Sequence, residues 1–590
     1  MSFTALARLK KRRLLVRWLF TFPSEQYSKH TYISENALLP GQVNTYYGWQ
    51  QVFDATAYRD RIKSMSNSSN IEKINYIEGE LRRAGLKTAT QNFTAISSGK
   101  VISGINVFGV LSSPRTDGTE ALVLSAPWRS KDGVTTNING IAAALSLGKF
   151  FKSTDYTYWS KDIIILITDG GEVGVQAWLE SYHDHKQSGI EASPLFLRSG
   201  AIQAAINLDF PGTSNYKALG LFFEGLNGQL PNLDLINTVV RVCRMSSNIP
   251  IMLRDSGRCY THYDSGDYQS SFYNLITFMK YQALGHPTGS HGLFFRYKID
   301  AITLYGQVDA SIGNSYGFFE IGSLFPFLFV VYALELWGTT SDDETDLIPN
   351  SNHVQSSSPL NNETNVQSSS PLNNETNVQS SSPLNNETNV QSSSPLNNET
   401  NASTPLAYLR RPREILMPVA ALVISHFAGF IIFFVVKNHF KFSQISSIFG
   451  IDGYLFTLAI TTNISIIATL SPSPDWVILK SFILAFTAMI ISCLSVLNFS
   501  LAVFISIIVV IPFSLFQPST YEMIRYLELI VLVLISPPGI LIISKINLEE
   551  FLRWTIMEYE LLGSYFLPFI CCLYWPIILV YVVIIFSPIK

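Results

Sequence analysis

Beyond residue 413 the chain runs through six apolar stretches, at 415–436, 454–470, 476–497, 499–516, 524–544 and 564–586. Each is about 17 to 25 residues long, the length an α-helix needs to cross a hydrocarbon core. No water is available there to satisfy backbone N–H and C=O groups, so helices are the conformation such stretches can take. A further stretch at 316–337 makes about seven spans in all. Only 14% of the 590 residues are charged, while 13% are aromatic; ordinary soluble proteins carry about 25% charge, so part of this chain is expected in lipid. The formal net charge of −3 supplies no basic field for nucleic acid, and that partner class is set aside. Five cysteines without a C-x-x-C spacing point to neither a disulfide framework nor a zinc or redox site. Whether Cys243 and Cys259 pair is left open.

The rest of the chain falls into distinct regimes. Residues 1–26 hold a basic cluster, Lys10, Lys11, Arg12 and Arg13, then an apolar run from Leu14 to Phe22 that resembles a membrane anchor cut short. Residues 27–315 alternate short apolar runs at 120–128, 162–168, 204–210 and 299–305 with helical patterns at 74–81, 141–151, 176–183, 233–245 and 270–284. Strand followed by helix, repeated, predicts an α/β domain with a mostly parallel central sheet. Residues 316–338 form the first clear span. Within 339–413, a 12-residue unit occurs four times between His353 and Thr400, three times as NVQSSSPLNNET. So short and polar a unit cannot stack a continuous core, which predicts a disordered linker. Residues 414–590 make the membrane domain, with about six further spans. Arg410, Arg411 and Arg413 precede it, so the positive-inside rule places the linker in the cytosol and the α/β domain across the membrane. There Asn67 and Asn92 lie in N-x-Ser/Thr sequons and are candidate glycosylation sites. The repeat sequons at Asn362, Asn374, Asn386 and Asn398 would stay unmodified.

The order of segments 122–151, 162–178 and 207–210 resembles the zinc-dependent aminopeptidase fold of the M28 peptidase family. That family places His-x-Asp after one strand, an Asp in a D-N-A-S-G turn, a Glu–Glu pair after the next strand, a later Asp and a late His. Such a site needs a carboxylate bridging two metals and a Glu to take a proton from metal-bound water. Here Pro127 stands where the first His is expected, and Arg129 replaces its Asp. In TTNINGIAAAL, Asn137 and Gly140 match the turn, but Thr136 stands at the bridging position. In DGGEVG, Gly171 takes the place of the general base and Glu172 matches a metal ligand; Asp209, in INLDF, matches the later one. The resemblance therefore implies a vestigial site with no catalytic residue, no cofactor, and at most residual zinc at Glu172 and Asp209. Plainer readings stand beside these: Glu172 as a helix N-terminal acid favoured by the macrodipole, Asp209 as a cap of the turn before Pro211 and Gly212.

A second resemblance covers more of the chain. TYISENALLPG (31–41), GLNGQLPNLDLIN (225–237), GSHGLFFRYKIDAITL (289–304) and Asn498-Phe499-Ser500-Leu501 look like hallmark segments of the GPI-anchor attachment subunit of the GPI transamidase complex. The last apolar stretch, with Pro568 and Pro576, fits as well. That resemblance implies an inactive M28-like lumenal domain joined to a multispan bundle in the endoplasmic reticulum membrane. It implies, as function, a noncatalytic subunit that brings GPI and the proprotein to a separate cysteine-protease-like subunit. GPI recognition would involve Pro576: a mid-span proline lacks a backbone donor, bends the helix and frees a carbonyl. His291 and Arg296, in the third motif, are the other residues of interest, with packing and surface charge as their plainer readings.

Two departures from that family are expected to matter: no full span follows the N-terminal basic cluster, and the connection after Gly306 is shorter than usual. Two other functions compete. One is a membrane-tethered zinc aminopeptidase. The other is a transporter, which would want charges along its spans, whereas only Lys480, Arg525 and Glu528 occur, near span ends.

Overall fold

A computed structural model describes residues 48–97, 99–114, 117–153, 160–186, 189–212, 215–246, 249–255, 268–308, 415–438, 475–543 and 547–587. The basic N-terminal cluster, the 31–41 motif, Cys259, the apolar stretches 316–337 and 454–470 and the repeats lie outside the described residues. The α/β domain and the C-terminal helices belong to one compact unit.

The α/β domain begins with α1 (Trp49–Ser64) and α2 (Asn70–Arg83), followed by the hairpin β1 (Lys87–Ser97) and β2 (Lys100–Leu111). Then come β3 (Glu120–Pro127), α3 (Ile138–Lys152), β4 (Asp162–Thr168), α4 (Glu172–Tyr182), β5 (Ile190–Ala192), β6 (Ala201–Asp209) and β7 (Tyr216–Phe222). The domain closes with α5 (Leu233–Ser246), β8 (Ile251–Leu253), α6 (Tyr268–Leu284), 3₁₀ turns at Ser290–Tyr297 and β9 (Asp300–Val308). Nine strands form one sheet in the order β5-β1-β2-β4-β3-β6-β9-β7-β8. The four central strands, β4-β3-β6-β9, are parallel as the strand–helix alternation predicts. The sheet as a whole is mixed, because β1 pairs antiparallel with β2 and β5, β2 with β4 and β7 with β9. A long hairpin supplies the first pair, and hairpin strands are necessarily antiparallel.

Side chains alternate across the central strands. Ile163, Ile165 and Ile167 of β4 join one core with α1, α2, α3 and α5. Ile164 and Leu166 join a second core with α4 and the 3₁₀ turns, and this second core also takes in Leu561 and Leu562 from near the C-terminus. Burying the central strands on both faces explains their unbroken apolar runs.

Among the described residues, three C-terminal helices are long and apolar enough to cross a membrane: α7 (Leu416–Lys437), α8 (Trp476–Leu497) and the last, Phe566–Phe586. A shorter apolar helix, α9 (Phe499–Leu515), contains a π-helical stretch at Ser506–Val510. The stretch 524–544 is not one helix. It divides into α10 (Glu522–Ile535) and α11 (Pro537–Ile543), with Ser536 extended between them at φ −68°, ψ 156°. Pro537 forces this break, since the residue before a proline is pushed out of the α region. Next, α12 (Leu548–Met557) passes into a π-helical turn, Glu558–Leu562, before α13 (Phe566–Phe586).

Candidate functional site

The loops at the C-terminal ends of the parallel strands are where ligands bind in open α/β sheets. Asn137, fully buried, is the knot of this edge. It caps α3 by accepting from the Gly140 amide at 3.2 Å, and the same Oδ1 accepts from the Phe210 amide at 2.7 Å. Its Nδ2 donates to the carbonyls of Pro127 at 2.9 Å and Leu208 at 2.7 Å. The ends of β3 and β6 and the start of α3 are thus tied by one amide side chain. Arg129 and Thr136, at the positions of two expected carboxylates, form a backbone bridge across the intervening loop.

Asp209, at the end of β6, accepts a 3.0 Å hydrogen bond from the Lys131 amide. Burial raises its pKa to about 6 against the opposing pull of that amide, the Ser130 hydroxyl and the Lys131 charge. The Lys131 ammonium itself pairs with Asp255 at 3.0 Å and lies 4.4 Å from the Phe222 ring centroid and 4.2 Å from that of Tyr305. Glu172 opens α4 after Gly171, whose φ of 64° is a glycine conformation. Loss of solvent around its carboxyl raises its pKa to about 7, opposed by His286 and reinforced by Glu558. β3 lies between β4 and β6, so the strand ends leading to Glu172 and Asp209 are about 10 Å apart. The two carboxylates therefore sit in different surroundings, one facing Lys131 and one facing the His286–Glu558 contact. No group of three or more His, Cys, Asp or Glu able to hold a metal exists among the described residues. With Pro127, Thr136 and Gly171 contributing neither imidazole nor carboxylate at the positions where the pattern needs them, the residues present do not fit a two-metal centre.

His291 is fully buried and lies in a polar chain that crosses the central strands. Ser125 donates to Asn207 at 2.8 Å, Asn207 to Thr303 at 3.0 Å, and Thr303 meets His291 Nδ1 at 2.8 Å. Nε2 faces the Glu224 carbonyl at 2.9 Å. A carbonyl can only accept, which assigns the proton to Nε2 and leaves Nδ1 to accept from Thr303. Burial, with Arg254 nearby, drives the His291 pKa down to about 3. The imidazole is thus held neutral between two partners inside the core. Glu224 also forms a buried ion pair with Arg254.

Other residues of the 225–237 and 498–501 motifs meet across one seam between the α/β domain and the C-terminal helices. Asn227, at φ 60°, accepts from the Tyr565 amide at 2.8 Å, and its own amide donates to the Gly285 carbonyl at 2.8 Å. Asn498 ends α8 and caps α9, accepting from Leu501 at 3.0 Å, while its Nδ2 donates to the Gln282 carbonyl at 2.8 Å. Ser500 donates to Gln282 Oε1 at 2.5 Å, and Gln282 Nε2 donates to Gly228 at 2.9 Å. A side chain at Gly228 would start 2.2 Å from Asn498 Nδ2, so this approach requires glycine. His286 makes an ion-pair contact with Glu558 and stacks edge-on to Trp554 at 4.4 Å. Burial works against the His286 charge, but Glu172 and Glu558 carry its pKa above the ordinary value. Ser97 donates to Glu560 at 2.8 Å. Arg296, exposed, reaches the Leu562 carbonyl at 3.5 Å, so its charge lies at the rim of the seam. Gln282, His286, Glu558 and Glu560 carry no sequence motif; the one available signal was their polarity beside strongly apolar segments.

Pro576 is buried in α13 directly after a π-helical turn, Ile570–Tyr574. The missing N–H removes a helical bond to Cys572, and the local widening accommodates the loss. Gly429 of α7 packs there: a β-carbon at this glycine would lie 2.4 Å from the Cys571 carbonyl and 2.6 Å from Pro576 Cγ. Pro576 thus shapes a close helix crossing and does not present itself at a surface. Lys480 donates to the Ser514 and Phe516 carbonyls at 2.9 and 2.6 Å, Arg525 to the Ser519 carbonyl at 2.5 Å, and Glu528 accepts from the Gln517 amide at 3.3 Å. All three charges fasten the loop after α9. Asn67 and Asn92 are both exposed.

The sequence pattern of a family described as "Gaa1-like, GPI transamidase component" matches residues 103–329 and 323–582. The GPI transamidase component gaa1 of Schizosaccharomyces pombe is 35% identical over 297 residues, 49% of this chain and 50% of that protein. The GPI transamidase component GAA1 of Saccharomyces cerevisiae is 35% identical over 221 residues, 37% of this chain and 33% of that protein. The matched segments thus span at most about half the length of these curated relatives. Among solved structures, a zinc aminopeptidase from Bacillus subtilis is similar at 10% identity and a TM-score of 0.31, covering 47% of this chain and 94% of that one. A glutaminyl cyclase from Fimbriiglobus ruber is similar at 11% identity and a TM-score of 0.33, covering 50% and 99%.

Proposed function

Because the chain belongs to the Gaa1-like family of GPI transamidase components, we propose that it is a noncatalytic, multispan subunit of that complex, binding the GPI glycolipid and organising its attachment to proproteins. The observation that carries this reading is the seam. Motif residues Asn227, Gly228, Asn498 and Ser500 are spent on holding the α/β domain against the membrane helices. At the strand ends, by contrast, Asn137 and one oxygen of Asp209 are spent on neighbouring backbone groups. A peptidase would need the reverse allocation, with free donors at the strand ends.

In this reading the chain is a membrane protein of the endoplasmic reticulum with its α/β domain lumenal, where exposed Asn67 and Asn92 accept glycans. The catalytic step belongs to another, cysteine-protease-like subunit. Pro576 acts on GPI through the α7–α13 crossing that it shapes with Gly429. Replacing Pro576 with Ala should lower the amount of GPI recovered with the complex while the other subunits remain bound. Recovery of GPI at the wild-type level would remove Pro576 from the account.

A further inference from the structure

α6 (Tyr268–Leu284) has its polarity the wrong way round for a helix on a water-facing surface. Its inward face carries Asn274 and Gln282, 3% and 6% exposed, together with Tyr281, whose ring holds the Arg254 guanidinium at 3.4 Å. Phe278 packs on Phe223 at 4.7 Å on the same side. The outward face carries Phe272, Leu275 and Ile276, exposed to 48%, 40% and 41%, with half-buried Met279 completing an i, i+3, i+4, i+7 stripe. A helix lying between a protein core and water shows the opposite arrangement. The only charge between 268 and 284 is Lys280, which is exposed; Tyr273, seven residues earlier and also exposed, lies on the same edge of the stripe.

The position of the helix supplies the second half of the argument. Its C-terminal end is bonded through Gln282 to Asn498 and Ser500, at the turn that joins α8 to α9. That turn ends a 22-residue apolar helix long enough to cross a membrane, so it lies at one face of the bilayer. Val496, Leu497 and Phe499 around it are 85%, 65% and 61% exposed. The apolar stripe of α6 is therefore anchored beside the apolar surface of a membrane-crossing helix, at the level where tyrosine and lysine commonly flank a bilayer.

We propose that α6 is an interfacial helix whose Phe272–Leu275–Ile276 face is inserted among the lipid acyl chains of the adjacent leaflet, so that the α/β domain rests on the membrane as well as on its own spans. Burying such a face at the headgroup boundary is the usual binding mode of amphipathic surface helices. The occupant is the bilayer itself, which separates this proposal from recognition of GPI.

The test places the photoreactive residue p-benzoylphenylalanine at Leu275 or Ile276, with Phe53 on α1 as an exposed control, in the full chain in its native membrane. Illumination should attach phospholipid at 275 and 276 several-fold more than at 53, with complex assembly unchanged. Adducts to another protein at both positions, or no adduct above the control, would overturn the proposal. In a second measurement, α6 backbone amides of the Leu275→Asn/Ile276→Asn protein should exchange several-fold faster than those of the wild type in nanodiscs, while amides of the central strands β3 and β6 exchange equally in the two. Equal exchange of variant and wild type in nanodiscs would count against insertion.

Discussion

The two polar regions of this protein use similar side chains to opposite ends. At the strand ends, Asn137 gathers Pro127, Leu208, Phe210 and Gly140 within the α/β domain, and Asp209 is committed to the Lys131 amide. At the seam, Asn227, Gln282 and Asn498 join the α/β domain to the C-terminal helices, through the Tyr565 amide, the Ser500 hydroxyl and the Gln282 carbonyl respectively. Where a peptidase would keep donors available for metal and substrate, this chain uses amides to close the edge. The surface that carries its most family-like motifs is instead the one facing the membrane helices.

That contrast is sharpest under mutation. Asn137→Ala leaves two buried carbonyls and two amides without their partner, each worth about 1–3 kcal/mol when unsatisfied. A loss on the order of 3 kcal/mol is expected, seen as a lower unfolding midpoint of the α/β domain, with lipid recovery retained in the folded fraction. Asn227→Ala removes the acceptor of the Tyr565 amide and should cost about 1–2 kcal/mol locally. Hydrogen exchange of residues 563–565 should rise while the ends of β3 and β6 stay protected. Loss of protection at both regions in either variant would show that they are one cooperative unit and blur the comparison.

Much of the strand-end region was legible in the sequence because substitution of a chemical type is visible there: Pro127, Thr136 and Gly171 cannot supply an imidazole or a carboxylate wherever they sit. The parallel centre of the sheet followed from strand–helix alternation, but the antiparallel flanks depend on which hairpins the edges add. The seam was hidden because its partners lie hundreds of residues apart; nothing local tells Asn227 that it will meet Tyr565. Leu561 and Leu562 lie next to a span, yet they fill the second α/β core beside Leu226 and Phe294. His291 stood out as a motif residue, and only the fold shows that it sits between Thr303 and the Glu224 carbonyl. The apolar stretch 524–544 carried its own warning in Pro537 and Pro538.

A smaller effect is pH dependence, and it reaches both regions, since burial also raises the pKa of Asp209 at the strand end to about 6. Glu172 and His286 at the seam both have raised pKa values, so the folded state holds protons that the unfolded chain has released. The Glu172 contribution is lost as pH rises from its ordinary range, near 4.5, through about 7; that of His286 is intact below 6.5 and is lost as pH climbs through its higher folded value. Exchange of the α12 segment, corrected for intrinsic rates, should therefore increase between pH 6 and 8, and Glu172→Gln should flatten the increase. His291 acts in the other direction, since its pKa of about 3 makes the core around β9 lose stability as pH falls below 6.5.

The central claim is that this chain serves the transamidase by holding lipid and partners rather than by metal-dependent peptide hydrolysis. Native mass spectrometry of the complex released in mild detergent tests it in one measurement. The account predicts this chain bound to other transamidase subunits, with GPI glycolipid and no zinc assigned to it; stoichiometric zinc on the chain with no glycolipid in the complex would contradict it.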